Sequence, residues 1–178
     1  MPDSRQPVRS WRIRVPAEEI CFSDLRRGRV CQNLAHVSGD FVIKRGDCGV
    51  AYQLAVVVDD YLTGVNQVTR GDDLLSSTPR QIFLQRLLGI PTPEYCHLPL
   101  VTDRDGSKLS KRDHLVIHQA DGRGGGERAL LYAALRFLGQ HPPGELSQYP
   151  CQEILRWGVE HFNPHDLPHQ GGPLEIPL

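Results

Sequence analysis

The chain has 178 residues, enough for one ordinary domain with a real core. Apolar residues make up 39% and charged residues 23%, which excludes a fibrous or wholly disordered chain. The net charge of −1 excludes a general polyanion coat but leaves room for a local basic face.

The five cysteines (Cys21, Cys31, Cys48, Cys96, Cys151) are scattered, odd in number and form no Cys-x-x-Cys. Reduced thiols in a cytoplasmic protein are therefore expected, with neither a disulfide framework nor a zinc ribbon. The longest core-like run, Leu54–Val58, is far too short to span a bilayer, so no membrane partner is expected. The polar, proline-containing start is no secretory signal.

In chain order, residues 1–10 read as a polar arm. Trp11–Val15 alternates apolar residues with arginines as a half-buried strand does, and Pro16 stops it. Glu19–Asp24 is a second strand, Leu25–Gly28 a turn, and Asp40–Arg45 a third strand ended by Gly46-Asp47-Cys48-Gly49. Arg26, Arg27 and Arg29 join Arg5, Arg9, Arg12 and Arg14 in an arginine-rich first part, which fits a solvated strand face as well as RNA contact. Ala51–Asp60 is ambiguous: its valine run suits a strand, and its i, i+3, i+4, i+7 spacing suits a helix.

Gly64–Thr69 reads as a strand leading to Arg70-Gly71-Asp72-Asp73. A helix follows, with Thr78 as N-cap, Pro79 at its first position, Gln81 completing a capping box, and Ile82, Phe83, Leu84, Leu87 and Leu88 as its buried stripe. Gly89, Pro91 and Pro93 stop it. His97–Val101 is a strand, Asp121–Gly126 a glycine-rich linker, and Glu127–Leu138 and Pro150–Phe162 are helices. The tail, residues 163–178, is proline-rich with little regular structure expected. His161, His165 and His169 share a four-residue spacing, but Pro164 and Pro168 break any helix that would gather them on a metal.

Between the last strand and the linker lies Gly106-Ser107-Lys108-Leu109-Ser110-Lys111-Arg112. Two lysines three apart on a Gly/Ser-flanked loop can follow charge developing on a polyphosphate, and equally make a solvated charged turn.

The order strand, Arg-Gly-Asp-Asp loop, Thr-Pro-Arg-Gln helix, apolar strand, Lys-Leu-Ser-Lys resembles the class I glutamyl-type aminoacyl-tRNA synthetases. The likeness runs from Trp11 to Phe162 through Asp40–Arg45, Ala51–Asp60, Val68–Asp73, Ser77–Gln85, His97–Leu100, Lys108–Lys111 and Ala129–Gly139. Within that family it is nearest the short paralogues that attach glutamate to queuosine in the anticodon of tRNA(Asp), because little chain follows Arg112 to read an anticodon as full synthetases do.

The resemblance implies an α/β fold: the C-terminal half of a class I synthetase Rossmann-like catalytic domain, with a small β-rich insertion and C-terminal helices. The segments expected are a β-rich insertion over 11–50, the second Rossmann half with the lysine loop over 51–120, and a helical segment over 127–162. It also tips Ala51–Asp60 towards helix. It implies a ligase using ATP with Mg²⁺, in which Lys111 and Lys108 are catalytic and Lys108, Ser110 and Lys111 bind ATP. Tyr52 and Arg70 would bind L-glutamate, and tRNA(Asp) queuosine would be the acceptor.

Two family features are missing. No His-Ile-Gly-His-type motif occurs, and the family's zinc ligands, three cysteines and a tyrosine before Trp11, are absent. The resemblance therefore implies a C-terminal portion whose N-terminal half is truncated or separately encoded, with doubtful activity alone. Two other readings stand beside it: a non-catalytic remnant binding RNA or a partner protein through the arginine-rich strands, and a functionless half-sheet with exposed edges.

Overall fold

The computed structural model describes residues 10–47, 49–103, 105–109 and 126–175. Its backbone divides into two compact units, one up to His97 and one from Leu98 onwards.

The first unit is built on a four-stranded sheet. Strands β2 (Glu19–Asp24) and β3 (Gly28–Asn33) form an antiparallel hairpin across the turn at Leu25–Arg27, with Ile20 opposite Gln32 and Cys21 opposite Cys31. β6 (Glu94–Leu98) lies on the other side of β2, parallel to it at the Asp24–Tyr95 pair, and β5 (Gln67–Gly71) closes the order β3-β2-β6-β5. A separate antiparallel pair joins β1 (Trp11–Ile13) to β4 (Phe41–Lys44). β3 has no alternating pattern and escaped the sequence reading.

Three helices belong to this unit. The single turn α1 (Leu34–Val37) starts at Asn33, whose side chain accepts from the backbone N–H groups of Ala35 and His36. α2 (Tyr52–Leu62) resolves the ambiguous segment as helix, with Val57 buried against Phe41 and Leu84. α3 (Thr78–Leu88) follows directly from a 3₁₀ segment over Asp72–Ser77 and ends at Gly89. A second apolar cluster of Ile20, Leu34, Ile82 and Tyr95 ties α1 and α3 to the sheet.

α3 departs from expectation in an informative way. Leu87 and Leu88 are exposed, while Thr78, Gln81 and Gln85 are buried beside Ile82 and Leu84. Thr78 is the first helical residue and caps nothing with its side chain; its hydroxyl and the Gln81 amide point into polar networks. Burying a polar side chain is tolerated only where it is hydrogen-bonded, so this face is specified by partners rather than by apolar area.

The cysteine expectation also changes. Cys21 and Cys31 are directly opposite in the β2–β3 register, with Cα atoms 4.1 Å apart, and are joined as a disulfide. The ten-residue spacing gave no hint of this because the hairpin that brings them together was not recognised. Cys96 and Cys151 are free thiols.

In the second unit, β7 (Val101–Thr102) pairs in parallel with β8 (Gly172–Pro173), so part of the proline-rich tail is ordered by backbone pairing. α4 (Gly126–Phe137) and α5 (Cys151–His161) pack through Tyr132, Leu146 and the fully buried Ile154. Gly158 lets α5 approach the Leu135 side chain of α4. Gly139, after α4, has φ +75° and lies against the Asp166 carbonyl, where a Cβ would not fit. No helix among the described residues is long and apolar enough to cross a membrane.

Candidate functional site

Arg70 comes near the end of β5, where the strand passes into the 3₁₀ segment, and its guanidinium is turned onto the neighbouring strand and helix. Its Nε–H donates to His97 Nε2 at 3.1 Å, and Nη2 donates to Thr78 Oγ1 at 2.7 Å. The guanidinium carbon lies 5.3 Å from the centre of the Tyr95 ring. Among the described residues no carboxylate is hydrogen-bonded to Arg70. Burial pulls its pKa below the usual arginine range, partly opposed by Tyr95, Tyr52, Asp60 and Asp24 nearby. The cation is thus held by neutral groups, an arrangement that leaves its charge for an anion.

The carboxylate that could have neutralised it is used elsewhere. Asp72, two residues on, pairs with Arg26 at 3.0 Å and with Arg27. Burial pulls the Asp72 carboxyl up, and hydrogen bonds from Arg27 and Arg26 more than offset it, so it titrates below its ordinary value. The same hydrogen bond to Asp72 leads the causes that hold the Arg27 pKa up. Arg26 is buried, and its Nε also donates to the His97 carbonyl. These two arginines of the arginine-rich first part therefore serve an internal junction.

Beneath Arg70 lies a fully buried pair. His97 Nδ1 is 2.7 Å from Asp24 Oδ2, and the His97 backbone N–H donates to the same oxygen at 3.1 Å. Asp24 Oδ1 accepts from the backbone N–H groups of Arg26 and Arg27, which closes the hairpin turn. Burial lowers the His97 pKa, with Asp24 opposing and Arg70 adding to the shift. On the other side of Thr78, Ser77 Oγ accepts from Gln53 and Arg80, and Gln81 donates to Gln53. This ties α3 to the first turn of α2, where Tyr52 sits 56% exposed.

The structure thus puts Arg70 and Tyr52 in the first unit, with Tyr52 within electrostatic reach of the guanidinium. Lys108 belongs to the second unit and is exposed. It pairs with Thr102 across a tight turn in which Asp103 Oδ1 accepts from the N–H groups of Asp105 and Ser107, at 2.9 and 2.8 Å. Gly106 takes φ +83° in this turn. Ser110 and Lys111 lie outside the described residues. His161 stacks on Trp157 with ring centres 4.7 Å apart. Glu19, Cys21 and Cys31 are grouped closely enough to suggest metal ligands, but the two sulfurs are bonded to each other, so the group does not fit zinc.

Asp24, Thr78 and His97 were missed as site residues. The signal was present: a histidine inside the apolar strand Tyr95-Cys96-His97-Leu98, and a threonine on the buried start of a helix, both need partners.

Residues 4–159 match the family described as tRNA synthetases class I (E and Q), catalytic domain. Relatives named Glutamyl-Q tRNA(Asp) synthetase include one from Geobacter sulfurreducens, 54% identical over 97% of this chain and 55% of its own length. Another from Thiobacillus denitrificans is 48% identical over 90% of this chain and 52% of its own. The chain therefore spans about half the length of the curated relatives it matches. Among solved structures, a glutamate-tRNA synthetase from Elizabethkingia anophelis superposes with a TM-score of 0.69 at 23% identity, covering 92% of this chain and 36% of that one. A glutamate tRNA ligase from Elizabethkingia meningosepticum in complex with its amino acid gives 0.70 at 22% identity, covering 93% and 36%. The mixed α/β fold is that of these synthetases, and the chain belongs to the class I (E and Q) tRNA synthetase catalytic-domain family.

Proposed function

We propose that this chain is the amino-acid-binding and lysine-loop part of an enzyme that activates glutamate with ATP and passes it to queuosine in the anticodon of tRNA(Asp). The observation that carries the reading is Arg70: a half-buried guanidinium, held by His97 and Thr78 and hydrogen-bonded to no carboxylate among the described residues. A charge-assisted hydrogen bond to a glutamate carboxylate is the interaction such a group suits best. Tyr52, exposed at the start of α2, would orient a polar end of the same substrate. The relatives' shared name supports glutamate and tRNA(Asp) as substrates.

In the reaction, a glutamate carboxylate oxygen attacks the α-phosphorus of ATP, the α–β phosphoanhydride bond breaks, and pyrophosphate leaves. A hydroxyl of queuosine's cyclopentene ring then attacks the glutamyl-adenylate carbonyl, forming an ester and releasing AMP. Positioning and charge stabilisation are the protein's main contributions. Lys111, assisted by Lys108 and Ser110, would steady the departing pyrophosphate, with Mg²⁺ accompanying the nucleotide. The half of the relatives' length that this chain does not span would supply the adenosine pocket, either in the same polypeptide or as a separate partner. Such chemistry belongs in the cytoplasm, where tRNA is used.

The test is glutamate-dependent ATP–pyrophosphate exchange by the chain, and by the chain joined to the portion of the Geobacter sulfurreducens relative it does not span. Arg70→Ala should abolish glutamate dependence at ordinary concentrations, whereas Lys111→Ala should slow exchange and leave the glutamate KM nearly unchanged. Exchange insensitive to Arg70→Ala would remove this site from the reaction.

A further inference from the structure

Arg70 Nε is a donor only, so the His97 Nε2 atom 3.1 Å away has to accept. A ring nitrogen that accepts carries no proton, and the proton of the neutral imidazole must then sit on Nδ1. Asp24 Oδ2, 2.7 Å from Nδ1, is an acceptor and fixes that tautomer. The ring and the carboxylate are fully buried, so water offers neither an alternative partner. Thr78 Oγ1 completes the arrangement by accepting from Arg70 Nη2 and lying 3.0 Å from Nε2. Protonation of His97 would place an N–H against the Arg70 N–H and two cations side by side. The charged and titratable groups around the ring are Asp24 on β2, Arg26 in the turn after it, Arg70 on β5, Asp72 beyond it, and Tyr95 on β6.

We propose that His97 is a positioning residue for amino-acid binding: a neutral imidazole, locked as the Nδ1–H tautomer by Asp24, that holds the Arg70 guanidinium in the orientation that receives the substrate carboxylate. This rests on the reading of Arg70 as the glutamate contact. Asp24 and His97 touch no substrate; they act through Arg70. Nη2 also lies 3.5 Å from the Leu74 carbonyl, so Nη1, which has no hydrogen-bond partner among the described residues, is the nitrogen left for the substrate.

Two measurements test it. Imidazole ¹⁵N NMR on the whole chain at neutral pH reads the tautomer directly, independently of any activity. A protonated Nδ1 with an unprotonated Nε2 is expected; an Nε2–H tautomer or an imidazolium overturns the proposal. Steady-state exchange kinetics on the exchange-competent chimera then compares two variants. His97→Asn keeps a donor near Nδ1 for Asp24 and removes the acceptor for Arg70. His97→Gln reaches the Nε2 position with an amide oxygen that can accept. The glutamate KM should rise about tenfold or more in His97→Asn, the loss of one charge-assisted hydrogen bond, and recover most of the way in His97→Gln. The ATP KM should stay within about twofold in both, because Arg70 is assigned to the amino acid alone.

A parallel rise in both KM values, tracking a fall in thermal stability, would make His97 merely structural and overturn the proposal. Glutamate-dependent exchange with an unchanged glutamate KM in His97→Asn overturns it while leaving the glutamate reading intact. Absence of glutamate dependence in the wild-type chimera, with the Nδ1–H tautomer present, overturns the glutamate reading and the role of His97 with it.

Discussion

Replacing Asp24 by Asn is the sharpest stability test of the buried network. The Asp24 carboxylate accepts four N–H groups, from the Arg26 and Arg27 backbone on one oxygen and the His97 backbone and ring on the other. Asparagine keeps one acceptor oxygen and turns an NH₂ group towards the other two donors, in a site only 3% exposed. Each buried donor left unsatisfied costs about 1–3 kcal/mol, so a loss of about 2–4 kcal/mol is expected after local relaxation. The ring can escape by moving its proton to Nε2, but that removes the acceptor of Arg70 and transfers the penalty there. Urea unfolding of the whole chain, followed by far-UV circular dichroism at constant slope, measures the loss against a total of about 5–15 kcal/mol for an ordinary domain. A loss under about 1 kcal/mol, with the His97 ring still protonated on Nδ1, would refute the claim that this carboxylate organises the junction.

Two further outcomes follow from the geometry. Because burial lowers the His97 pKa from 6.5, the unfolded chain takes up a proton that the folded one resists, and stability falls as pH drops from about 6.5 towards the lowered folded value. Above that window the contribution is fully present, and His97→Gln should flatten the profile there. The loss tied to Asp72, whose pKa is also lowered, begins only below about 3.8, so urea unfolding between pH 7 and 5 separates the two. Gly139→Ala should destabilise the second unit by more than about 2 kcal/mol, since it combines a left-handed backbone with a Cβ driven into the Asp166 carbonyl. A thermal melt of this variant matching wild type would contradict the close approach.

What the sequence made legible was local. Glu19–Asp24 stood out by its composition, and the helix over Glu127–Leu138 by its periodicity, with both ends within a few residues of the structure. Arg70 and Tyr52 were reached only through resemblance, since neither spacing nor composition distinguishes a substrate-facing arginine from one paired with Asp72. The structure supplies that distinction by assigning Asp72 to Arg26 and Arg27. The Asp24–His97 pair was illegible because it spans 73 residues and depends on two strands meeting in parallel at Asp24 and Tyr95. The Cys21–Cys31 bridge was hidden for a similar reason, its hairpin having a second strand without pattern. The α3 stripe was misread because periodicity counts leucines, whereas Leu87 and Leu88 face outwards and Thr78, Gln81 and Gln85 are paid for by hydrogen bonds.

The most direct test of the functional account is transfer of labelled glutamate to tRNA(Asp) by the chain joined to the half of its relative's length that it does not span. The account predicts an alkali-labile label on queuosine-containing tRNA(Asp), retained after the 3′ terminus is removed, and none on tRNA(Asp) lacking queuosine. Label confined to the 3′ end, or none on either tRNA, would contradict it.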